Sequence, residues 1–325
     1  MKNKQATGLR RIMAFPVTDL TEKLQGWNMV SVQLGYDDRT YVLLIDEVPE
    51  RDRGAFIQTE LKRSPTYKVL IVDLRLPAEK GDGEARVREI LIEGETFHYS
   101  YVQPLGEELL LVGARSYYYG RDDYDLNAAV FSHEGRPLRR FLLGDGIQDV
   151  QTTPGRLIWT SFFDEGVFGN YGWERPVGES GLIAWDRSGI RVFTNSEADI
   201  ADCYALNVVS DEQVWFYYYT DFKLCALSGP ADRPKASFLD PKRSGSASVV
   251  TDGYRFLMDN GYRERDRYTL MRQEKPGQLV PREEIIFIKE NGEQLRNGIA
   301  DARGAKMLLF EEAKLYAFSL GELDG

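Results

Sequence analysis

Short apolar stretches of strand length alternate with polar turns along almost the whole chain. Early examples are NMVSVQLG and TYVLLIDE, which the polar residues YDDR separate. Later examples include ELLLVGARSYYY, RLIWTSFF and QVWFYYYTD, again bounded by Gly, Pro, Asp and Ser. Stretches of this length that are rich in β-branched and aromatic residues are typical of strands. The pattern predicts an all-β protein.

The predicted strands group into a recurring four-strand unit of about 50 residues, a period typical of β-propeller blades. The last unit has only three strands, and the N-terminal strand LRRIMAFPV (9–17) supplies the fourth and closes the ring. We therefore predict a six-bladed propeller, with seven blades or two packed β-sandwiches as alternatives. The predicted blades are 27–94, 97–145, 146–197, 198–241, 244–292 and 293–321.

Composition narrows the class of protein. A chain of 325 residues usually forms two domains, but repeats that pack on their neighbours allow a single propeller domain over 1–325. The net charge of −10 opposes nucleic acid or an anionic membrane as a partner. The first residues lack a signal-peptide pattern and only two cysteines occur. We expect a cytoplasmic monomer.

Long polar loops mark the candidate binding site. Loops that join second to third strands open at the same end of every blade, and here they are 117–125, 163–180, 218–222 and 259–268. Aromatic rings beside carboxylates suit a protein segment or a small polar ligand, although tyrosines between blades and aspartates in turns are also ordinary structural features. The candidate ligand-binding residues are Tyr118, Asp145, Asp149, Asp164, Glu165, Asn170, Tyr171, Trp173 and Tyr219.

The stretch DGIQDVQTTPGRLIW-SFFDEGVFGNYGW, followed by SGLIAWD, resembles a signature of uncharacterised, propeller-like proteins of bacteria. The resemblance covers about 45 residues, and the rest of the chain is similar only in its WD40-like blade pattern. It implies a bacterial, intracellular propeller. That family has no assigned activity, so the resemblance implies no catalytic residue.

Residues that could carry catalysis are scarce. The two histidines, His98 and His133, have no recognisable partners for a catalytic triad, and no His or Cys spacing fits zinc. We expect neither a metal nor a cofactor. The predicted function is a non-catalytic recognition or scaffold module. The alternative is a carbohydrate-active or other hydrolase or lyase that uses the carboxylates of Asp149, Asp164 or Glu165 at the mouth of the channel.

Overall fold

A computed structural model describes residues 8–52, 56–74, 86–262, 264–296 and 299–324. Parts of the predicted plan lie outside the described residues: positions 53–55 and 75–85 of the first blade, and Arg263 in the loop 259–268.

The described residues are mostly strands. The strands up to residue 194 are β1 (Leu9–Met13), β2 (Pro16–Asp19), β3 (Asn28–Leu34), β4 (Arg39–Ile45), β5 (Arg51–Asp52), β6 (Phe56–Ile57), β7 (Tyr67–Asp73), β8 (Val87–Ile92), β9 (Tyr101–Pro104), β10 (Leu109–Val112), β11 (Tyr118–Gly120), β12 (Asp123–Tyr124), β13 (Ala128–Phe131), β14 (Pro137–Phe141), β15 (Ile147–Thr152), β16 (Ile158–Phe162), β17 (Leu182–Trp185) and β18 (Arg191–Thr194). The later strands are β19 (Asp202–Ser210), β20 (Gln213–Tyr219), β21 (Lys223–Ser228), β22 (Lys235–Leu239), β23 (Val249–Thr251), β24 (Arg255–Asp259), β25 (Tyr268–Lys275), β26 (Gln278–Ile288), β27 (Ile299–Arg303), β28 (Lys306–Glu311) and β29 (Lys314–Ser319). A one-turn helix, α1 (Asp164–Phe168), and a 3₁₀ turn, Leu320–Asp324, complete the described elements.

The chain divides into two compact units, one of which comprises residues 21–203. This unit contains three four-stranded antiparallel sheets with the orders β3-β4-β7-β8, β9-β10-β13-β14 and β15-β16-β17-β18. Two short hairpins, β5-β6 and β11-β12, lie within the loops that join second to third strands.

The second unit comprises residues up to 20 and from 204 onwards, and it also contains three sheets. Their orders are β19-β20-β21-β22, β23-β24-β25-β26-β1 and β27-β28-β29-β2. Strand β1 runs parallel to β26, whereas β2 runs antiparallel to β29. The N-terminal strands thus add to the last two sheets of the unit.

The hydrophobic core of each unit lies between neighbouring sheets. Strand β10 shows why: all four residues of LLLV are buried. Leu109 and Leu111 pack with the first sheet of their unit, while Leu110 and Val112 pack with the third. Because successive side chains of a strand point to opposite faces, a strand covered on both sides is apolar at every position. This explains the unbroken apolar stretches of the sequence.

Six consecutive sheets, five with four strands and one with five, are the blades of a β-propeller, and the prediction of an all-β, six-bladed propeller is confirmed. The seven-blade and sandwich alternatives are therefore wrong. The single-domain assignment over 1–325 stays a prediction.

The predicted N-terminal strand 9–17 needs a correction. Residues Leu9–Met13 form an additional fifth strand of the fifth sheet, and Pro16–Asp19 supply the missing fourth strand of the last sheet. The division falls at Ala14 and Phe15. Proline fits the start of an outer strand because it lacks an N–H group.

Candidate functional site

Three loops of the first unit leave their sheets at the same end, because adjacent strands of each sheet are antiparallel. They are the β10–β13 loop (113–127), the β14–β15 loop (142–146) and the β16–β17 loop (163–181). The sequence predicted two of them as long loops without regular structure. The first instead contains the hairpin β11-β12, and the last begins with helix α1.

The Arg115 side chain connects all three loops. Its guanidinium donates to both carboxylate oxygens of Asp145, each at 2.9 Å, and its Nη1 donates to the Glu165 carboxylate. The ring of Tyr171 lies over the guanidinium, with its centroid 3.8 Å from Cζ. We call Arg115, Asp145, Glu165 and Tyr171 the Arg115 cluster. A bidentate guanidinium–carboxylate pair fixes both distance and orientation, so this cluster sets the relative positions of the loops.

Asp145 is almost fully buried within this cluster. Its carboxylate also accepts the backbone N–H of Ser116 at 2.8 Å. Burial raises the pKa of the Asp145 carboxyl to about 6, and the Arg115 guanidinium and the Ser116 amide offset part of that effect.

Aromatic packing holds the tip of the β16–β17 loop against the hairpin. The Trp173 ring lies 4.9 Å from the ring of Tyr118 and 5.9 Å from that of Tyr124, centroid to centroid. Its Nε1 donates to the carbonyl oxygen of Ser116 at 2.7 Å. The Tyr118 N–H donates to the Tyr171 carbonyl oxygen at 2.9 Å. These contacts make Trp173 a packing residue of the loop.

Two glycine contacts permit this close approach. A Cβ atom on Gly146 would lie 2.3 Å from the Gly166 Cα, and φ at Gly146 is +71°. A Cβ on Gly172 would lie 2.2 Å from the Tyr118 carbonyl oxygen, with φ at +84°. Both positions require glycine, because a side chain there would meet backbone atoms.

Several large aromatic side chains of these loops remain exposed. Phe168 of α1 is 71% exposed and Tyr119 of the hairpin is 52% exposed, with Tyr117 and Tyr124 also at the surface. Around them lie five exposed carboxylates and two exposed guanidinia: Asp122, Asp123, Asp164, Glu174, Glu179, Arg121 and Arg175. We call these four aromatic side chains and seven charged groups the loop surface. It has an excess of negative charge.

Tyr119 illustrates how the exposed residues are supported. Its hydroxyl donates to the Asp125 carboxylate at 3.1 Å, and the same carboxylate accepts the Tyr117 N–H at 2.8 Å. Burial of the hydroxyl, followed by the negative charge of Asp125, raises the pKa of Tyr119 to about 12. The phenol therefore stays neutral at physiological pH.

The structure brings together six of the nine predicted site residues. Tyr118, Asp145, Glu165, Tyr171 and Trp173 form the contacts above, and the Asn170 carboxamide oxygen accepts the Tyr171 N–H at 2.7 Å. Asp145 is buried and the other five are half-buried, and together they support the exposed residues.

The other three predicted residues are not part of these contacts, and only Asp164 belongs to the same loops. Asp149 is on strand β15, where its carboxylate accepts from the Gln33 side chain at 3.2 Å and from the Val150 N–H. Asp164 is exposed in the first turn of α1. Tyr219 belongs to the second unit, in an aromatic group with Tyr204 and Phe222.

Sequence reasoning missed Arg115. Its one signal is its place as the first charged residue after the buried stretch LLLVGA. A charge at the end of a buried strand needs a partner nearby, but the partners here lie 30 and 50 positions along the chain.

Asp202, at the start of β19, gives a prediction for the pH dependence of stability. Burial and the nearby Asp164 carboxylate raise its pKa to about 6. The folded state therefore holds this proton more tightly than the unfolded state, so stability falls as pH rises from about 4 to about 6. Asparagine does not titrate, so Asp202→Asn lacks this loss of stability. Between pH 4 and pH 7.5, we expect the free energy of unfolding of the variant to rise relative to that of wild type by about 1–2 kcal/mol, after allowance for the partial exposure of Asp202.

Thermal unfolding of both proteins at the two pH values measures this difference. The exposed-site variant Asp123→Asn is the matched control, and we expect it to follow wild type. An Asp202→Asn protein with the same pH dependence as wild type would show that the burial effect is absent.

Among the described residues, no group of three or more His, Cys, Asp or Glu side chains is arranged to hold a metal ion. No helix within the described ranges has both the length and the apolar character to span a bilayer.

No known family model and no curated protein sequence matches this chain. Solved structures similar to it include a virginiamycin B lyase from Staphylococcus aureus, with 8% identity, coverage of 93% of this chain and 97% of that chain, and a TM-score of 0.47. A luciferin-regenerating enzyme has 10% identity, coverage of 94% and 95%, and a TM-score of 0.47. The β-propeller domain of Cps50 (Swd1) from Myceliophteria thermophila has 11% identity, coverage of 90% and 99%, and a TM-score of 0.45. At these values, the similarities carry no argument about activity. The resemblance to an uncharacterised bacterial family stays a prediction.

Proposed function

We propose that this protein is a non-catalytic recognition module whose loop surface binds a protein segment that carries cationic side chains. The observation that supports this proposal is a set of exposed aromatic rings, Phe168, Tyr117, Tyr119 and Tyr124, on loops that part-buried hydrogen bonds hold in place.

The physical chemistry of the loop surface favours binding in three ways. Tyrosine and phenylalanine present large contact areas with few rotatable bonds, so little conformational entropy is lost on binding. Aromatic faces attract Lys and Arg side chains. The exposed carboxylates around the rings add electrostatic complementarity for a basic segment and disfavour acidic ones. A small polar cation could use the same groups.

The charged interior of the site supports a binding role over catalysis. The Arg115 guanidinium is engaged by two carboxylates and an aromatic ring, and Glu165 is one of those two partners. Groups held in this way support the loops and are not available as a free acid or base.

The test compares capture from a bacterial lysate by wild type and by the triple variant Tyr117→Ser, Tyr119→Ser and Phe168→Ser. The matched control replaces exposed apolar residues elsewhere, Leu138→Ser and Tyr254→Ser. A captured protein is then purified and its affinity for each variant is measured. We expect at least a tenfold loss for the triple variant and an unchanged affinity for the control. Equal affinities of all three proteins would overturn the proposal.

A second candidate function is the hydrolase or lyase alternative. One observation favours it: Asp202 has a pKa raised to about 6 and lies near the exposed Asp164. A carboxyl group whose pKa is raised can act as a general acid. The test is turnover of chromogenic glycosides and esters by wild type and by Asp164→Asn. Turnover that the substitution removes would support this candidate, and absence of turnover would exclude it for those substrates.

A further inference from the structure

Strand β1 has an outer edge with which no described strand pairs. It is the last strand in the order β23-β24-β25-β26-β1. On the β26 side, the Gly8 carbonyl oxygen accepts from the Glu284 N–H at 3.2 Å, and the Ala14 N–H donates to the Ile288 carbonyl oxygen at 2.9 Å. Backbone groups alternate in direction along a strand. The N–H and C=O groups of Leu9, Arg11 and Met13 therefore point away from β26.

The side chains of the same three residues are exposed. Leu9 and Met13 are each 44% exposed, whereas Ile12 and Ala14 of the alternate face pack against the core of the unit. Phe15, which follows the strand, is 59% exposed. An open edge with exposed apolar side chains is a template for an added strand. We call the outward backbone groups and side chains of Leu9, Arg11 and Met13 the β1 edge.

The charged side chains of β1 indicate which kind of segment would bind at the β1 edge. Arg10 forms an ion pair with Glu283 at 3.6 Å and donates to the Leu323 carbonyl oxygen at 2.8 Å. Arg11 is exposed and forms no ion pair or side-chain hydrogen bond with another residue in the part of the chain that the structure describes. It is therefore the uncompensated charge of this edge, and it complements a carboxylate.

Two other occupants fit this charge poorly. The first seven residues of the chain are MKNKQAT, whose two lysines repeat the charge of Arg11. A second copy that pairs antiparallel around the middle of β1 would place the two Arg11 side chains opposite each other, which is destabilising.

We propose that the β1 edge binds an extended acidic segment of a partner protein as an added strand. The segment places one carboxylate beside Arg11, with apolar side chains two residues before and two residues after it against Leu9 and Met13. This spacing follows from the two-residue period of a strand. The inference rests on the second unit and is independent of the loop surface.

The test measures fluorescence anisotropy of a labelled peptide, Val-Thr-Glu-Thr-Val with Gly-Ser flanks, against the full-length protein. The charge-reversed peptide Val-Thr-Lys-Thr-Val is its control. We expect wild type to bind the acidic peptide at least tenfold more tightly than the basic one. We expect Arg11→Glu to reverse that preference.

A second variant separates strand addition from simple charge attraction. Met13→Pro removes an N–H group that makes no bond to β26, so the sheet keeps its own hydrogen bonds. We expect it to weaken binding of the acidic peptide at least tenfold, while Leu138→Lys, an exposed site of the other unit, leaves it unchanged. No preference between the peptides, or equal binding by Met13→Pro, would overturn the proposal. Self-association of wild type that Met13→Pro abolishes, measured by sedimentation, would show that a second copy is the occupant and would also overturn it.

Discussion

Replacing Arg115 with methionine is expected to destabilise the protein by about 3–5 kcal/mol. Such a cost is typical when one member of a buried ion pair is removed and the other charge is left without compensation. Here the remaining group is the Asp145 carboxylate, whose side chain is 1% exposed. Chemical denaturation of wild type and variant at pH 7.5 measures the change in the free energy of unfolding.

The ion pair also predicts the relative stabilities of related variants. The double variant Arg115→Met with Asp145→Asn removes both charges, and we expect it to be more stable than Arg115→Met alone. Arg115→Lys keeps the charge but loses the bidentate geometry, so we expect its stability to lie between those of Arg115→Met and wild type. Arg175→Met, an exposed arginine of the same loop, is the matched control. A variant Arg115→Met as stable as that control would mean that the cluster does not hold the loops together.

Replacing Asn127 with alanine is expected to cost about 3 kcal/mol, the second large effect. The buried carboxamide donates to the carbonyl oxygens of Gly113 and Gly144 at 2.8 and 2.7 Å and accepts the Leu143 N–H at 2.9 Å. Removal leaves three buried backbone groups without this partner, at about 1 kcal/mol or more each.

Hydrogen exchange gives this prediction a local readout. We expect the amides of residues 142–146 to exchange faster in Asn127→Ala than in wild type, because the β10–β13 and β14–β15 loops lose their connection. The control is Asn170→Ala, whose side chain accepts the N–H of its immediate neighbour Tyr171. If the amides of residues 142–146 exchanged equally fast in Asn127→Ala and Asn170→Ala, the Asn127 side chain would not be what connects the two loops.

The sequence predicted an all-β, six-bladed propeller because the signal of its strands is local. Consecutive apolar residues indicate each buried strand, as LLLV does in β10, and turn residues separate one strand from the next. The split of the N-terminal segment had no such signal. Whether Leu9–Met13 pairs with β26 depends on residues more than 270 positions away, and a local pattern does not encode that pairing.

The candidate site was predictable in location but only partly in chemistry. The long loop 163–180 and its aromatic residues marked the region, and six of the predicted residues do meet there. Their roles differ from the expectation, because Trp173 and Tyr118 pack against each other while Tyr119 and Phe168 remain exposed. Exposure depends on which rings pack together, and that depends on the position that Arg115 gives the loops.

The most direct test of the recognition role is the affinity of the purified captured partner for wild type and for the triple variant Tyr117→Ser, Tyr119→Ser and Phe168→Ser. Titration calorimetry with matched circular dichroism spectra keeps folding and binding separate. We predict an intact fold with at least a tenfold weaker affinity. An intact fold with unchanged affinity would contradict the proposal that the loop surface is the binding site.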